Sequence, residues 1–168
     1  MSSLRLEGAP ANLRRLAAIL VAVLLAAALP SCSSGNPTIP DVVAALLQVT
    51  VDPNPVIGLQ NPLNGSVSVS YRITIQELNG LGGQFQFVSS TIYDPATGLQ
   101  AALNYYDSSD LKVFVGTDRI DPQGTLVVPQ SVTYTLSDLG TATNMTVSVQ
   151  LIDDRENLIT RSILVPVQ

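Results

Sequence analysis

Residues 66–76 read SVSVSYRITIQ, and the alternation in that stretch decides the fold. Val67, Val69, Tyr71, Ile73 and Ile75 share one parity, while Ser66, Ser68, Ser70, Arg72, Thr74 and Gln76 share the other. Successive side chains of an extended backbone leave on opposite faces, so this is a strand with one face in a core and one in water. The same pattern recurs from Thr143 to Ile152, with Met145, Val147, Val149 and Leu151 directed inward. After Asp153-Asp154-Arg155-Glu156-Asn157 the chain returns as Leu158 to Val167, which predicts a β-hairpin around a five-residue polar loop.

Working outward from these segments, further strands are predicted at Leu46–Val51, Gln84–Tyr93, Leu111–Val115 and Thr125–Leu136. Pro129 interrupts the last of these; it has no N–H to give a ladder and so marks an edge or a bulge. Turn residues punctuate the runs at Asp52-Pro53-Asn54-Pro55, Asn79-Gly80, Asp94–Gly98 and Asp121–Gly124, where Pro fixes φ or Gly supplies positive φ. About seven short strands in one domain predict an all-β, immunoglobulin-like antiparallel β-sandwich.

Leu99 to Tyr106 reads two ways: Leu99, Ala101, Leu103 and Tyr105 fit a strand, whereas Leu99, Ala102, Leu103 and Tyr106 fit a helical turn. In such a sandwich Gln84–Tyr93 and Thr143–Ile152 run in opposite directions, so an even number of strands lies between them. With Leu111–Val115 and Thr125–Leu136 counted, the balance falls to a helical crossover at 99–106. Lys112 is then an outward, edge-protecting charge beside Asp110 on a short strand.

The closing stretch, Tyr134 to Gly140 followed by the last hairpin, resembles the end of bacterial immunoglobulin-like and fibronectin type III-like modules. The resemblance covers residues 45–168 and implies the sandwich architecture; the chain has neither the cysteine pair nor the core tryptophan of antibody-type domains.

The start of the chain carries a different message. Arg5, Arg14 and Arg15 precede fourteen consecutive Ala, Ile, Leu or Val residues, Leu16 to Leu29. A basic head and a short apolar run form a signal-peptide pattern, and the run is shorter than the roughly 20 residues a membrane span needs. Leu29-Pro30-Ser31-Cys32 then resembles the lipobox of bacterial lipoproteins, with Pro30 a departure from the usual small residue. That resemblance implies cleavage before Cys32 and lipidation of its thiol, with palmitate-type acyl chains. It also gives a role to the only cysteine in the chain. One acyl chain binds a bilayer marginally and two bind it stably, so the lipidated Cys32 is expected to hold the protein on a membrane. The expected organisation is a signal peptide at 1–31, lipidated Cys32 and a Pro-containing tether at 32–44, and the sandwich at 45–168. Ser33 beside the cysteine implies, by the same resemblance, the outer membrane of a Gram-negative cell envelope.

Removing residues 1–31 leaves 8 − 3 = 5 basic and 13 − 1 = 12 acidic residues, a net charge of −7. Such a surface is repelled by phosphate backbones, so no nucleic-acid partner is expected. The chain has no histidine, the commonest general base and zinc ligand, and no second cysteine for a thiolate site. Catalysis is therefore not expected, nor is any cofactor beyond the lipid on Cys32.

Two sets of residues remain as site candidates. In the expected topology the loops Glu77–Gly83, Gly116–Gly124 and Asp153–Asn157 share one end of the sandwich. Asp118, Asp121, Asp153 and Asp154 there are candidate ligands for Ca²⁺, a hard cation that takes six to eight oxygens. Solvation of an acidic rim and turn formation account for the same residues without a metal. Tyr105, Tyr106 and Phe114 are the aromatics least well placed by inward faces, and exposed aromatics are favoured interface anchors. The expected function is a lipid-anchored, non-catalytic binding or structural module of the cell envelope, with an envelope protein as partner. The alternative is a carbohydrate- or calcium-dependent adhesion module using the acidic loop end, and a hydrolase is the least favoured reading.

Overall fold

A computed structural model describes residues 44–137 and 142–168. The signal segment, Cys32 and the tether up to residue 43 lie outside the described residues, as do residues 138–141. The described chain runs β1 (Leu47–Asp52), β2 (Gly58–Gln60), β3 (Val67–Glu77), β4 (Gly83–Tyr93) and β5 (Gln100–Asp107). It continues with α1 (Ser108–Phe114), β6 (Arg119–Ile120), β7 (Thr125–Tyr134), β8 (Thr143–Asp153) and β9 (Leu158–Val167).

Two antiparallel sheets form the sandwich. In the first, β3 is flanked on one side by β7 and on the other by β1 and then β2, which pair with successive stretches of it. The second has the order β5-β4-β8-β9, with the short β6 beside the start of β4. The parity read from residues 66–76 holds: Val69, Tyr71, Ile73 and Ile75 are buried and Ser70, Arg72 and Gln76 are exposed. Met145, Val147, Val149 and Leu151 of β8 meet them from the facing sheet, fully buried. Apolar area withdrawn from water between the sheets is the main stabilising contribution, in a fold with no disulfide among its described residues.

Pro129 lies mid-strand in an unbroken register with β3, opposite Arg72. β7 pairs with β3 alone, so the missing N–H falls on the open edge and no bulge is needed.

Two expectations are corrected. The segment predicted as a crossover, 99–106, is a strand from its second residue on, β5, paired with β4 from Phe87↔Asp107 to Tyr93↔Gln100. Leu111–Val115 is not a strand: the helical crossover sits there, one segment later. The even count of full strands between β4 and β8 is kept, with the two identities exchanged. The helix is started by a capping box in which Asp107 accepts from the Asp110 amide and Asp110 accepts from the Asp107 amide. Two otherwise orphaned N–H groups are satisfied that way. Lys112 is accordingly on a helix, 3.0 Å from Asp118 Oδ2, rather than on a sheet edge.

One polar group lies in the core between the sheets. Tyr71 Oη, Ser90 Oγ and Gln130 Oε1 form a triangle of contacts at 2.5, 2.8 and 2.5 Å, and Gln130 Nε2 has no partner among the described residues.

Candidate functional site

The first described residues lie at the same end as the loops after β3 and β8 and before β7. Ala45 N donates to Asp153 Oδ2 at 3.0 Å, and Asn79 Nδ2 donates to the Ala44 carbonyl at 3.1 Å. The three loops touch one another: Asp154 N donates to Gly82 O, Glu77 N donates to Gly124 O, and Arg119 pairs with Asp154. Close approach is built into the backbone, since a Cβ on Gly83 would lie 2.6 Å from Ile152 O.

The carboxylates gathered there have different tasks. Glu77, fully buried, accepts the amides of Leu46, Asn79, Gly80 and Gln123 at 3.3, 2.8, 2.7 and 2.9 Å. Burial works to raise its pKa, but the four amides outweigh it and the carboxyl lies below its ordinary value. Asp153, also buried, accepts from the amides of Ala45, Arg155 and Asn157 and from Asn157 Nδ2. The same balance, burial against donated hydrogen bonds, leaves it lowered too. Asp118 accepts from Ser108 Oγ, Gln84 Nε2 and Lys112 Nζ, with the Ser108 hydroxyl foremost in holding its carboxyl well below the usual range.

Of the calcium candidates, then, Asp118 and Asp153 are spoken for by N–H and O–H donors, and Asp154 pairs with Arg119 at the surface. Asp121 is exposed in the turn closed by Gly124 N to Asp121 O. Among the described residues no group of three or more His, Cys, Asp or Glu is arranged to hold a metal ion. Chemically, this end is a knot: carboxylates bind backbone amides of loops distant in sequence and fix the loops to each other.

The aromatic candidates separate. Tyr105 points outward from β5, half exposed, and stacks on Phe87 of β4 with centroids 5.4 Å apart and planes at 27°. Tyr106 has the inward parity, packs against the core and meets Phe114 at 5.4 Å with planes at 49°. Phe114 closes the helix and is itself largely exposed. Phe87 went unnoticed in the sequence because its outward parity depends on a register shift between Phe85 and Phe87.

That stack stands on a face without charge. The outward positions of β8 (even numbers 144–152) and β9 (even numbers 158–166) carry Asn, Thr, Ser, Gln, Ile, Leu and Pro. Those of β4 (odd numbers 87–93) are Phe, Ser, Thr and Tyr, and those at 103 and 105 on β5 are Leu and Tyr. The charges that border this face are Asp107, which is committed to the helix cap, and Arg119 of β6, which stands in the row of Gln84 and Ile152 and pairs with Asp154. By contrast the loop end holds Glu77, Asp107, Asp110, Asp118, Asp121, Asp153, Asp154 and Glu156 against Lys112, Arg119 and Arg155, a net of 3 − 8 = −5.

No protein-family model matches the chain, and no curated protein matches it. Solved structures share the fold at low identity. An X-ray structure of a Northeast Structural Genomics Consortium target superposes with TM-score 0.51 at 14% identity, covering 71% of this chain and 84% of that one. A crystal structure of a Bordetella pertussis protein described as ApaA gives TM-score 0.52 at 12% identity, covering 72% and 93%. The CARDB domain of a Pyrococcus furiosus protein, solved with di-metal ions, is a looser match, with TM-score 0.37 at 14% identity over 74% and 89%. The first two likenesses establish the β-sandwich fold and nothing about activity.

Proposed function

We propose that the chain is a lipid-anchored, non-catalytic module of the cell envelope that works by binding another envelope protein. The observation that carries this reading is the division of labour on the surface. The buried loop-end carboxylates, the groups a catalytic or metal site would draw on, are occupied by the protein's own amides and hydroxyls. The uncharged β5-β4-β8-β9 face and its edge are left to meet other molecules. The apolar run before Cys32 and the lipobox-like Leu29-Pro30-Ser31-Cys32 support the anchor. The absence of histidine and of any thiol other than Cys32 supports the non-catalytic assignment.

A partner strand has a place to add. β9 pairs with β8 along one edge, and its other edge meets Val56 and Gly58 only from Pro166 to Gln168. From Leu158 to Leu164 no described strand occupies that edge, so main-chain hydrogen bonds are available for strand addition. Arg161 stands there at the inward parity, a charge that discourages indiscriminate pairing and favours a strand bringing an acidic side chain.

In-cell crosslinking followed by purification of the lipidated protein tests the proposal, with Cys32→Ser as the control. A stoichiometric partner that disappears in the control is the expected result. Recovery of the Cys32→Ser protein, unprocessed, in the membrane fraction would overturn the anchor reading. A partner whose capture survives Arg161→Glu and Ser162→Pro would overturn the edge as its binding place.

A further inference from the structure

We infer that the uncharged β5-β4-β8-β9 face is a self-association surface, which pairs two copies of this chain face to face. The inference does not rest on the anchor, because it follows from the face alone.

The face has a low centre and raised flanks. Ser148 and Ser162 form a low floor at its centre, hydrogen-bonded to each other at 2.9 Å, flanked by Phe87, Leu103 and Tyr105 on β4-β5 and by Leu158 and Leu164 on β9. The registers align these residues in rows across the sheet. Tyr105, Ser89, Ser148 and Ser162 make one row, and Leu103, Thr91, Thr146 and Leu164 make the next. A two-fold axis parallel to the strands, above the β4-β8 seam, carries the β4-β5 half of each copy over the β8-β9 half of the other. Tyr105 of one copy then lies over Ser162 of the second, Leu103 over Leu164, and Ser89 over Ser148. A two-fold contact demands this reciprocity, in which a patch complements itself.

Charge argues for the same occupant on this face: the acidic groups gather at the loop end, and contact here sets no carboxylate of one copy against a carboxylate of the other. Depletion of charge with exposed aromatics and leucines is also the composition of an interface core. Four strands about 4.8 Å apart and five rows about 6.7 Å apart span roughly 19 by 30 Å, so two copies bury upward of about 1,000 Å² in all. That is the lower bound for a specific contact, and the pair is a weak one. The same axis puts both Ala44 positions at one end, the arrangement two copies held on one bilayer need.

Density-matched sedimentation equilibrium of the full chain in neutral detergent micelles is the test, from about 1 to about 100 μM, the range for a weak pair. The wild type should pass from monomer to dimer, more readily at high salt because the acidic ends of the two copies repel. Ser148→Glu and Ser148→Lys should each be monomeric, since each places two like charges beside the axis. A one-to-one mixture of the two should regain the dimer, and Thr133→Glu on the opposite sheet should leave it intact. Thr160→Glu takes the place of Ser148→Glu if the latter melts more than a few degrees lower than wild type. A wild type monomeric throughout, or a Ser148→Glu and a Thr160→Glu that both dimerise as well as wild type, would overturn the inference.

Discussion

The amide of Gln123 donates to Glu77 Oε2 across 2.9 Å, closing a gap of 46 residues in sequence onto a carboxylate that is itself fully buried. One carboxylate thereby joins the chain start at Leu46, the turn at Asn79 and Gly80, and the loop that leads into β7. Replacing Glu77 by Ala strands four N–H groups, each of which costs about 1–3 kcal/mol when buried and unpaired, though water entering the gap recovers part. Glu77→Ala is expected to lower the unfolding free energy by about 3–5 kcal/mol in urea titration. Glu77→Gln, which keeps the shape but substitutes an N–H₂ for one acceptor, should lose less than Glu77→Ala. Equal losses would mean that the hydrogen bonds contribute nothing beyond packing.

Leu111 is fully buried and Val113 is 77% exposed, a contrast only a helix gives two residues apart. Leu111→Ala is expected to cost about 2–4 kcal/mol through the cavity it leaves. Val113→Ala should fall within about 0.5 kcal/mol of wild type. Thermal or denaturant melts of the two variants decide the matter; similar losses at both sites would restore the strand that the sequence pattern suggested.

The reasons that segment misled are physical. A seven-residue helix with one buried side chain has no apolar periodicity to display. Its true marker was the pair Asp107 and Asp110 at capping-box spacing, which carries little weight in a chain where Asp is the common turn former. β3, β8 and β9 were legible because each alternates over ten or more residues with one face in the core. β2 and β6, of three and two residues, exist only by pairing with β3 and β4 and leave no local signal. The meeting of three loops at one end follows from topology and could be anticipated. That Glu77 and Asp153 serve backbone amides could not, because a carboxylate beside turn residues looks the same whether it meets water, a cation or N–H groups. The uncharged face emerges only when neighbouring strands are known, since no single strand announces it.

Acid should destabilise the fold through these same groups. Asp94 is drawn down to about 2, by the Ser137 hydroxyl foremost, against desolvation and with help from the Ala96 and Ser137 amides. Asp118, Glu77 and Asp153 are lowered as well. With folded values below the unfolded 3.8 of Asp and 4.5 of Glu, the unfolded chain binds more protons over that interval. The stabilisation is therefore complete above about pH 5 and is lost as pH falls from there towards 2. Calorimetric melting temperatures should be level from pH 7 to 5 and fall steeply below 4, with Asp94→Asn lower at neutral pH and less steep in acid. A melting temperature that holds or climbs on acidification would contradict the role given to these carboxylates.

The polar triangle in the core makes a final demand. Tyr71 and Ser90 supply two hydroxyl protons for three contacts among Tyr71 Oη, Ser90 Oγ and Gln130 Oε1. Only two of the contacts are hydrogen bonds at any instant, so each hydroxyl constrains where the other donates. When one is removed, the survivor gives its proton wholly to Gln130 Oε1 and recovers part of the loss. Tyr71→Phe and Ser90→Ala should each cost about 1–2 kcal/mol, as expected for buried hydrogen bonds. The double variant, in which no hydroxyl survives to compensate, should cost more than their sum by about 0.5–1.5 kcal/mol, the range for residues sharing a network. A double-mutant cycle in urea reads this directly. Losses that add to within about 0.3 kcal/mol would mean that the two hydroxyls bind the amide independently and that the core contains two separate bonds.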